Sequence, residues 1–221
     1  YLLEIEFNKN LSVMDTTDFL NNYLFCLKNI EKIYLGHDFS FGKNKSMGPD
    51  LVIKYCHEKK KKYHFQDEYI FSGENVSSSR VRNLLNEGSI EDANQLLGRE
   101  FFMTGIVIRG HGRGRKIGIP TVNLEISPHK LVPSEGVYFS ISEIDGKSIH
   151  SITNIGFKPT FPNEQKTVET HLLDFNSDLY GKEIKVKLLK KLRNEIKFRG
   201  SEELVLRIKE DIQMAKDFFK K

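Results

Sequence analysis

The chain has 221 residues, 38% of them hydrophobic, with 34 basic against 30 acidic side chains and a formal charge of +4. That length buries one large core or two smaller ones, and no apolar run approaches a membrane span. The mild basic excess suits anionic small molecules and does not demand nucleic acid.

The first residues, YLLEIEF, lack an initiator methionine and read as if entered within a fold, so the numbering is expected to begin inside a longer protein. Residues 15–28 place Phe19, Leu20, Tyr23, Leu24 and Leu27 at helical spacing behind an N-cap at Thr16 or Thr17. An apolar run at 32–35 reads as a buried strand, and 50–56 fits a strand or a helix. EKKKK (58–62) reads as a solvated turn. Two helices follow, 79–87 stopped by Gly88 and 90–97 stopped by Gly98, the second capped by Ser89 with Asp92 as its capping-box partner. Cys26 and Cys56 lie far apart without a CxxC pattern, which argues against a disulfide framework or a zinc site. Both are expected to pack as small apolar groups in a reducing cytoplasm.

After Gly98 the character changes. MTGIVI, TVNLEI, GVYFSISEI, SITNIG, VETHLLDF and EIKVKLL alternate partially with period two, and Gly, Pro, Asn and Asp punctuate them. That pattern predicts an antiparallel barrel or sandwich. The chain closes on a helix from about Ser201, with a stripe of Leu204, Ile208, Ile212, Ala215 and Phe219, acids in its first turn and lysines in its last. The expected organisation is therefore an α/β piece over 1–98 and a β-barrel with a C-terminal helix over 99–221.

The stretch GHGRGRKIGIPTVNLEI (110–126) concentrates Gly110, Gly112, Gly114 and Gly118 with Arg113, Arg115 and Lys116. It satisfies neither GxxxxGK[S/T] nor GxGxxG, and it leads into a strand where those signatures lead into a helix. Its chemistry still suits phosphate: glycines permit positive φ, and successive N–H groups form an anion-binding concavity. Pro120 stiffens the junction with the strand. On a strand over 121–126, Thr121 and Asn123 point to the same face. Their oxygens can ligate a hard cation such as Mg²⁺, although Thr and Asn are also ordinary strand-margin residues. In VETHLLDF, Glu169, His171, Leu173 and Phe175 share a face whose large apolar members suggest that it turns inward. Glu169 is then an acid on the barrel's inner side near its mouth, which costs solvation unless the carboxylate is used or partnered.

GHGRGRKIGIPTVN, LVPSEGVYF, NIGFKPTF, VETHLLDF, DLYG and LRNEIKF, in that order, resemble the riboflavin kinase module over 99–221. Val122 stands where that family usually has alanine, which leaves Thr121 and Asn123 in place. The resemblance implies a six-stranded Greek-key barrel that phosphorylates riboflavin to FMN. ATP-Mg²⁺ would lie under the glycine loop, against Gly110, Gly112, Arg113, Gly114, Lys116, Gly118 and Thr121, with Thr121 and Asn123 serving Mg²⁺ and phosphate. Riboflavin would enter near Arg193 and Phe198, and Glu169 would be the general base on the ribityl hydroxyl.

GHDFSFG (36–42) and VSSSRVR (76–82) resemble the other half of the bacterial bifunctional enzyme, the FMN adenylyltransferase that makes FAD, with a Rossmann-like nucleotidyltransferase fold. The resemblance implies ATP phosphates at Ser78, Ser79 and Arg82 on a helix N-terminus, and flavin near Asp38, Phe39 and Phe41. Taken alone, Ser77 to Ser79 read as a helix cap. The superfamily's HxGH signature is absent, since no two of the seven histidines stand three apart. These residues alone are therefore expected to be inactive in adenylylation, while the parent protein makes both FMN and FAD. The implied partners are small molecules in the cytoplasm, with no nucleic acid and no membrane, and self-association is left open. The rival readings are a kinase with a degenerate first domain, or a basic nucleic-acid-binding barrel with bases stacked on exposed aromatics.

Overall fold

The structure, a computed structural model, describes residues 4–27, 29–36, 39–40, 48–110, 112, 114, 117–157, 166–198 and 200–220. They divide into two compact units, one ending at Asn75 and one beginning at Val76.

In the first unit, α1 (Lys9–Ser12) is a single turn capped by the Asn8 side chain. α2 (Thr16–Phe19) runs on into a π-helical turn, Leu20–Leu24. The residue that caps α2 is Asp15, whose carboxylate accepts from the Thr17 N–H at 2.8 Å, in place of the threonine expected. β1 (Lys32–Gly36) pairs in parallel with β2 (Lys62–Gln66), and between them α3 (Pro49–Glu58) resolves the ambiguous segment as a helix. Pro49 occupies its first turn, where no N–H is needed, and Val52 and Cys56, one turn apart, are fully buried. They meet Leu20, Ile33 and Leu35 in one core. Cys56 packs as expected, but Cys26 is exposed and does not. The lysine run forms the turn out of α3, where Lys60 adopts φ 53°. A hairpin of β3 (Ile70–Phe71) and β4 (Glu74–Asn75) turns through Ser72 and Gly73, both at positive φ.

The second unit starts with α4 (Ser78–Glu87) and α5 (Ile90–Leu97). Gly88 and Gly98 end them in the left-handed conformation, and Ser77 caps α4 by accepting from the Arg80 N–H. Ser89 precedes α5 without a side-chain capping bond, so the expected capping box is not formed. Leu85, Ile90 and Ala93 join the barrel's core cluster. The Asn94 amide also donates to the Leu188 carbonyl and accepts from the Phe101 N–H. For this reason the packing division falls before α4, well upstream of the composition change at 98.

Six antiparallel strands close the barrel: β5 (Phe101–Ile108), β6 (Val122–Ile126), β7 (Gly136–Ile144), β8 (Lys147–Phe157), β9 (Lys166–Leu172) and β10 (Glu183–Arg193). Their order around the barrel, β10-β5-β6-β9-β8-β7, has the non-sequential neighbours of a Greek key. Met103, Val107, Leu124, Tyr138, Ile155, Val168, Ile184, Val186 and Leu188 fill the interior. A chain of fully buried hydroxyls runs among them, Ser142–Ser151–Ser140–Thr153–Thr170, each link 2.8 or 2.9 Å. Part of the outer wall is covered by α6 (Ser201–Phe219), which packs Ala215 and its neighbours on Val137, Phe139, Ile152 and Leu173. Phe139 stacks on Phe218 with centroids 4.4 Å apart. No helix among the described residues is long and apolar enough to cross a membrane.

β9 corrects one expectation. Val168, Thr170 and Leu172 point into the barrel, so Glu169 and His171 stand on its outer face. The strand ends at Leu172, so Leu173 and Phe175 lie beyond the alternation and say nothing about which way Glu169 turns.

Candidate active site

The outer position of Glu169 does not put it in open solvent. A cavity of about 780 Å³ lies against this part of the barrel wall. Its floor is a row of cross-strand partners: Asn123 on β6 opposes Glu169 on β9, which opposes Asn154 on β8. Directly opposed residues share a face, with Cβ atoms about 5 Å apart, so these amides and the carboxylate stand side by side on one wall. Thr121, just before β6, lines the same cavity. The residues leading into β6 are pinned where His171 donates from Nδ1 to the Pro120 carbonyl at 2.8 Å.

Gly110, Gly112 and Gly114 form the wall beyond Asn123. Gly110 lies directly against the Asn123 amide, so that any Cβ there would overlap it. A Cβ on Gly114 would overlap the Ile119 carbonyl and come within 3.3 Å of the Thr121 hydroxyl. Side chains at these two positions would fill the space beside the two oxygen donors, so the glycines keep it open. Gly118 does not line the cavity; at φ 76° it serves the turn that returns the chain to Ile119, whose N–H donates to the Gly114 carbonyl. A segment from Phe175 to Tyr180 also lines the cavity, with the Asp178 carboxylate accepting from the Tyr180 N–H. The Arg109 guanidinium lies 5.6 Å from the Tyr180 ring centroid.

The far end holds Glu195. Its carboxylate lies against Gly156 and accepts from the Asn154 amide at 3.4 Å. Glu195 is exposed as a residue, but desolvation of its carboxylate against the barrel raises its pKa above the usual value, a shift opposed by the Asn154 hydrogen bond and by Arg193 and reinforced by Glu135. Among the described residues no cluster of His, Cys, Asp and Glu suits a metal ion. Thr121, Asn123 and Glu169 present oxygen donors on the cavity wall.

The profile of the riboflavin kinase family matches residues 97–219, and that of the FAD synthetase family matches residues 1–80. The bifunctional riboflavin kinase/FMN adenylyltransferase of Bacillus subtilis (strain 168) is 37% identical over 226 residues, covering 99% of this chain and 69% of that protein. This chain belongs to the bifunctional riboflavin kinase/FMN adenylyltransferase family. The Listeria monocytogenes member is 33% identical over 98% of this chain and 69% of its own length. A crystal structure described as a macrolide-efflux protein from Streptococcus pneumoniae superposes with a TM-score of 0.85 at 28% identity, over 96% of this chain and 68% of that one.

Within the riboflavin kinase segment, the cavity brings together Gly110, Gly112, Gly114, Thr121, Asn123 and Glu169, all singled out in the sequence. Arg193 stands elsewhere. Its guanidinium grips Asp211 of α6 through Nε and Nη2, the latter at 2.6 Å, and the two side chains are 13% and 3% exposed. Phe198 is half-buried and off the cavity wall. Arg113 and Lys116 lie outside the described residues, as do Asp38 and Phe41 of the FAD synthetase segment. Ser78, Ser79 and Arg82 are exposed on the first turns of α4, and Phe39 packs against the first unit's core. Asn154 and Glu195 were missed, although both sit in motifs that carry the family resemblance, NIGFKPTF and LRNEIKF.

Proposed function

We propose that this cavity transfers the terminal phosphoryl group of ATP to riboflavin, giving FMN. The observation that carries the reading is the shared wall of Gly110, Thr121, Asn123 and Glu169, inside the segment that matches riboflavin kinase. Phosphoryl transfer asks a protein to align donor and acceptor and to neutralise charge on the phosphate oxygens. The backbone N–H groups of the glycine loop serve the second task and orient the donor at the Asn123 end of the row. Glu169, next in the row, is within hydrogen-bond reach of an alcohol brought up beside the phosphate, and takes its proton as the O–P bond forms. A positioned base of this kind contributes about 10²–10⁴-fold.

Thr121 and Asn123 fit Mg²⁺: both offer hard oxygen donors, and the absence of side chains at Gly110 and Gly114 leaves space beside them. When bound, Mg²⁺ supplies neutralisation of the phosphate oxygens. Arg193, locked to Asp211, acts on the flavin end only through the chain it anchors. Ser78, Ser79 and Arg82, at a helix N-terminus, suit the ATP phosphates of the adenylylation step. These residues alone hold no HxGH pair for that step.

Chromatography of the flavins after incubation of the chain with riboflavin, ATP and Mg²⁺ tests the reading. FMN and ADP without FAD is the expected outcome, and absence of FMN refutes the kinase assignment. Accumulation of FAD would refute only the expectation that adenylylation needs the histidine pair.

A further inference from the structure

Glu195 lies on the cavity wall beside the Asn154–Glu169 row, and the proposed chemistry leaves it without a task. It follows β10 and α6 holds it in place: Arg193, paired with Asp211, also donates to the Asn194 carbonyl at 3.0 Å and so fixes the backbone just before it. Gly156 makes room for it, since a Cβ at that position would overlap the Glu195 carboxylate. Gly156 does not use left-handed backbone, so close approach to Glu195, and not chain conformation, is what glycine serves there.

The polar row is directional. The glycine loop abuts Asn123, Glu169 stands in the middle, and Asn154 with Glu195 closes the other end. With a phosphoryl donor at the glycine end, the acceptor must extend from Glu169 toward Glu195. Neighbouring strands are about 5 Å apart. An extended polyol with its terminal hydroxyl at Glu169 therefore brings its next few hydroxyls level with Asn154 and Glu195. Carboxylate and amide oxygens accept from hydroxyl donors, and hydrogen bonds to a charged acceptor are the stronger kind. Glu195 is exposed and accepts from the Asn154 amide through Oε1 alone at 3.4 Å, so a hydroxyl donor can reach the carboxylate.

We infer that Glu195, with Asn154, is the residue pair that selects the acceptor by binding the internal hydroxyls of its polyol chain. The inference rests on the riboflavin kinase reading and goes beyond it by separating acceptor selection from proton transfer. Glu195→Gln keeps the shape and removes the charge. Gly156→Ala keeps the carboxylate and pushes it off its seat at the cost of moving one flexible side chain.

The experiment measures KM for riboflavin and for ATP separately, and riboflavin binding by flavin fluorescence without ATP. It also compares riboflavin with an analogue lacking one internal ribityl hydroxyl. Both variants are expected to weaken riboflavin binding about tenfold or more, leave the KM for ATP unchanged, and reduce the discrimination against the deoxy analogue. Melting curves establish that the variants are folded. Riboflavin affinity and analogue discrimination within about twofold of the parent in either folded variant would overturn the inference, as would a change confined to the KM for ATP. A parent chain that binds flavin but makes no FMN refutes the kinase reading alone, because the fluorescence arm still reads Glu195. A parent that does not bind riboflavin refutes both.

Discussion

Gly110→Ala tests whether the glycine loop works by close approach. The Ala Cβ would overlap Asn123 Nδ2, with Cγ at 2.6 Å and Oδ1 at 2.8 Å, whereas ordinary carbon contacts lie at about 3.5–4 Å. Relief therefore requires the loop or the amide to move by about 1 Å. Gly110 is not in the left-handed region, so the backbone itself accepts alanine and the strain falls on this contact. A displacement of that size in a site that depends on alignment costs about 10²-fold in rate. The folding cost stays within the usual overpacking range of about 1–3 kcal/mol, which for a chain of this length lowers the melting temperature by a few degrees. Steady-state kinetics with ATP varied, together with flavin binding and a melting curve, separates the effects. The expected result is a kcat/KM for ATP reduced about a hundredfold with riboflavin binding intact. Turnover within about threefold of the parent in a folded variant would show that the Gly110–Asn123 contact does not position the donor.

Glu169→Gln removes the proposed base at a half-exposed position and should lower kcat by about 10²–10⁴-fold with an unchanged melting temperature; near-normal kcat removes Glu169 from that role. Thr121→Val should raise the Mg²⁺ concentration needed for half-maximal rate as well as lower the rate. An unchanged Mg²⁺ dependence would mark Thr121 as structural. Asp211→Ala strips the carboxylate from Arg193 at 2.6 Å and from Arg207 at 3.4 Å, at a position 3% exposed. Breaking a buried pair from one side costs about 3 kcal/mol, to be read from urea denaturation, and a loss well under 1 kcal/mol would show the pair to be screened.

The elements that alternation or capping specifies were legible in the sequence. The barrel strands carry period-two patterns bounded by turn residues, and α4 and α5 end on glycines that adopt the left-handed conformation anticipated for them. Pairing between distant segments was not legible. The row Asn123–Glu169–Asn154 exists only because β6, β9 and β8 are neighbours in a particular register, and no local pattern encodes that. The facing of Glu169 was misread because the apolar residues after Leu172 belong to a different structure from the strand before it. The role of Arg193 was similarly hidden: its partner, Asp211, sits on a helix whose apolar stripe gave no hint of a buried carboxylate. β2, β3 and β4 went unpredicted because two of them are two-residue strands and the third is polar along most of its length.

The buried hydroxyl chain in the barrel bears on how that register is chosen. Alternation alone distinguishes inside from outside, so two strands displaced by two residues satisfy it equally well. Hydroxyls are less forgiving, because a displaced Thr153 would face an aliphatic neighbour and leave the buried Thr170 hydroxyl without its hydroxyl partner. The Thr153–Thr170 contact thus acts as an internal gauge between β8 and β9. One residue along each strand, on the opposite face, stand Asn154 and Glu169. The interior of the barrel thereby sets the spacing of the groups outside it, and an error that an oily core would have absorbed becomes one that the fold rejects.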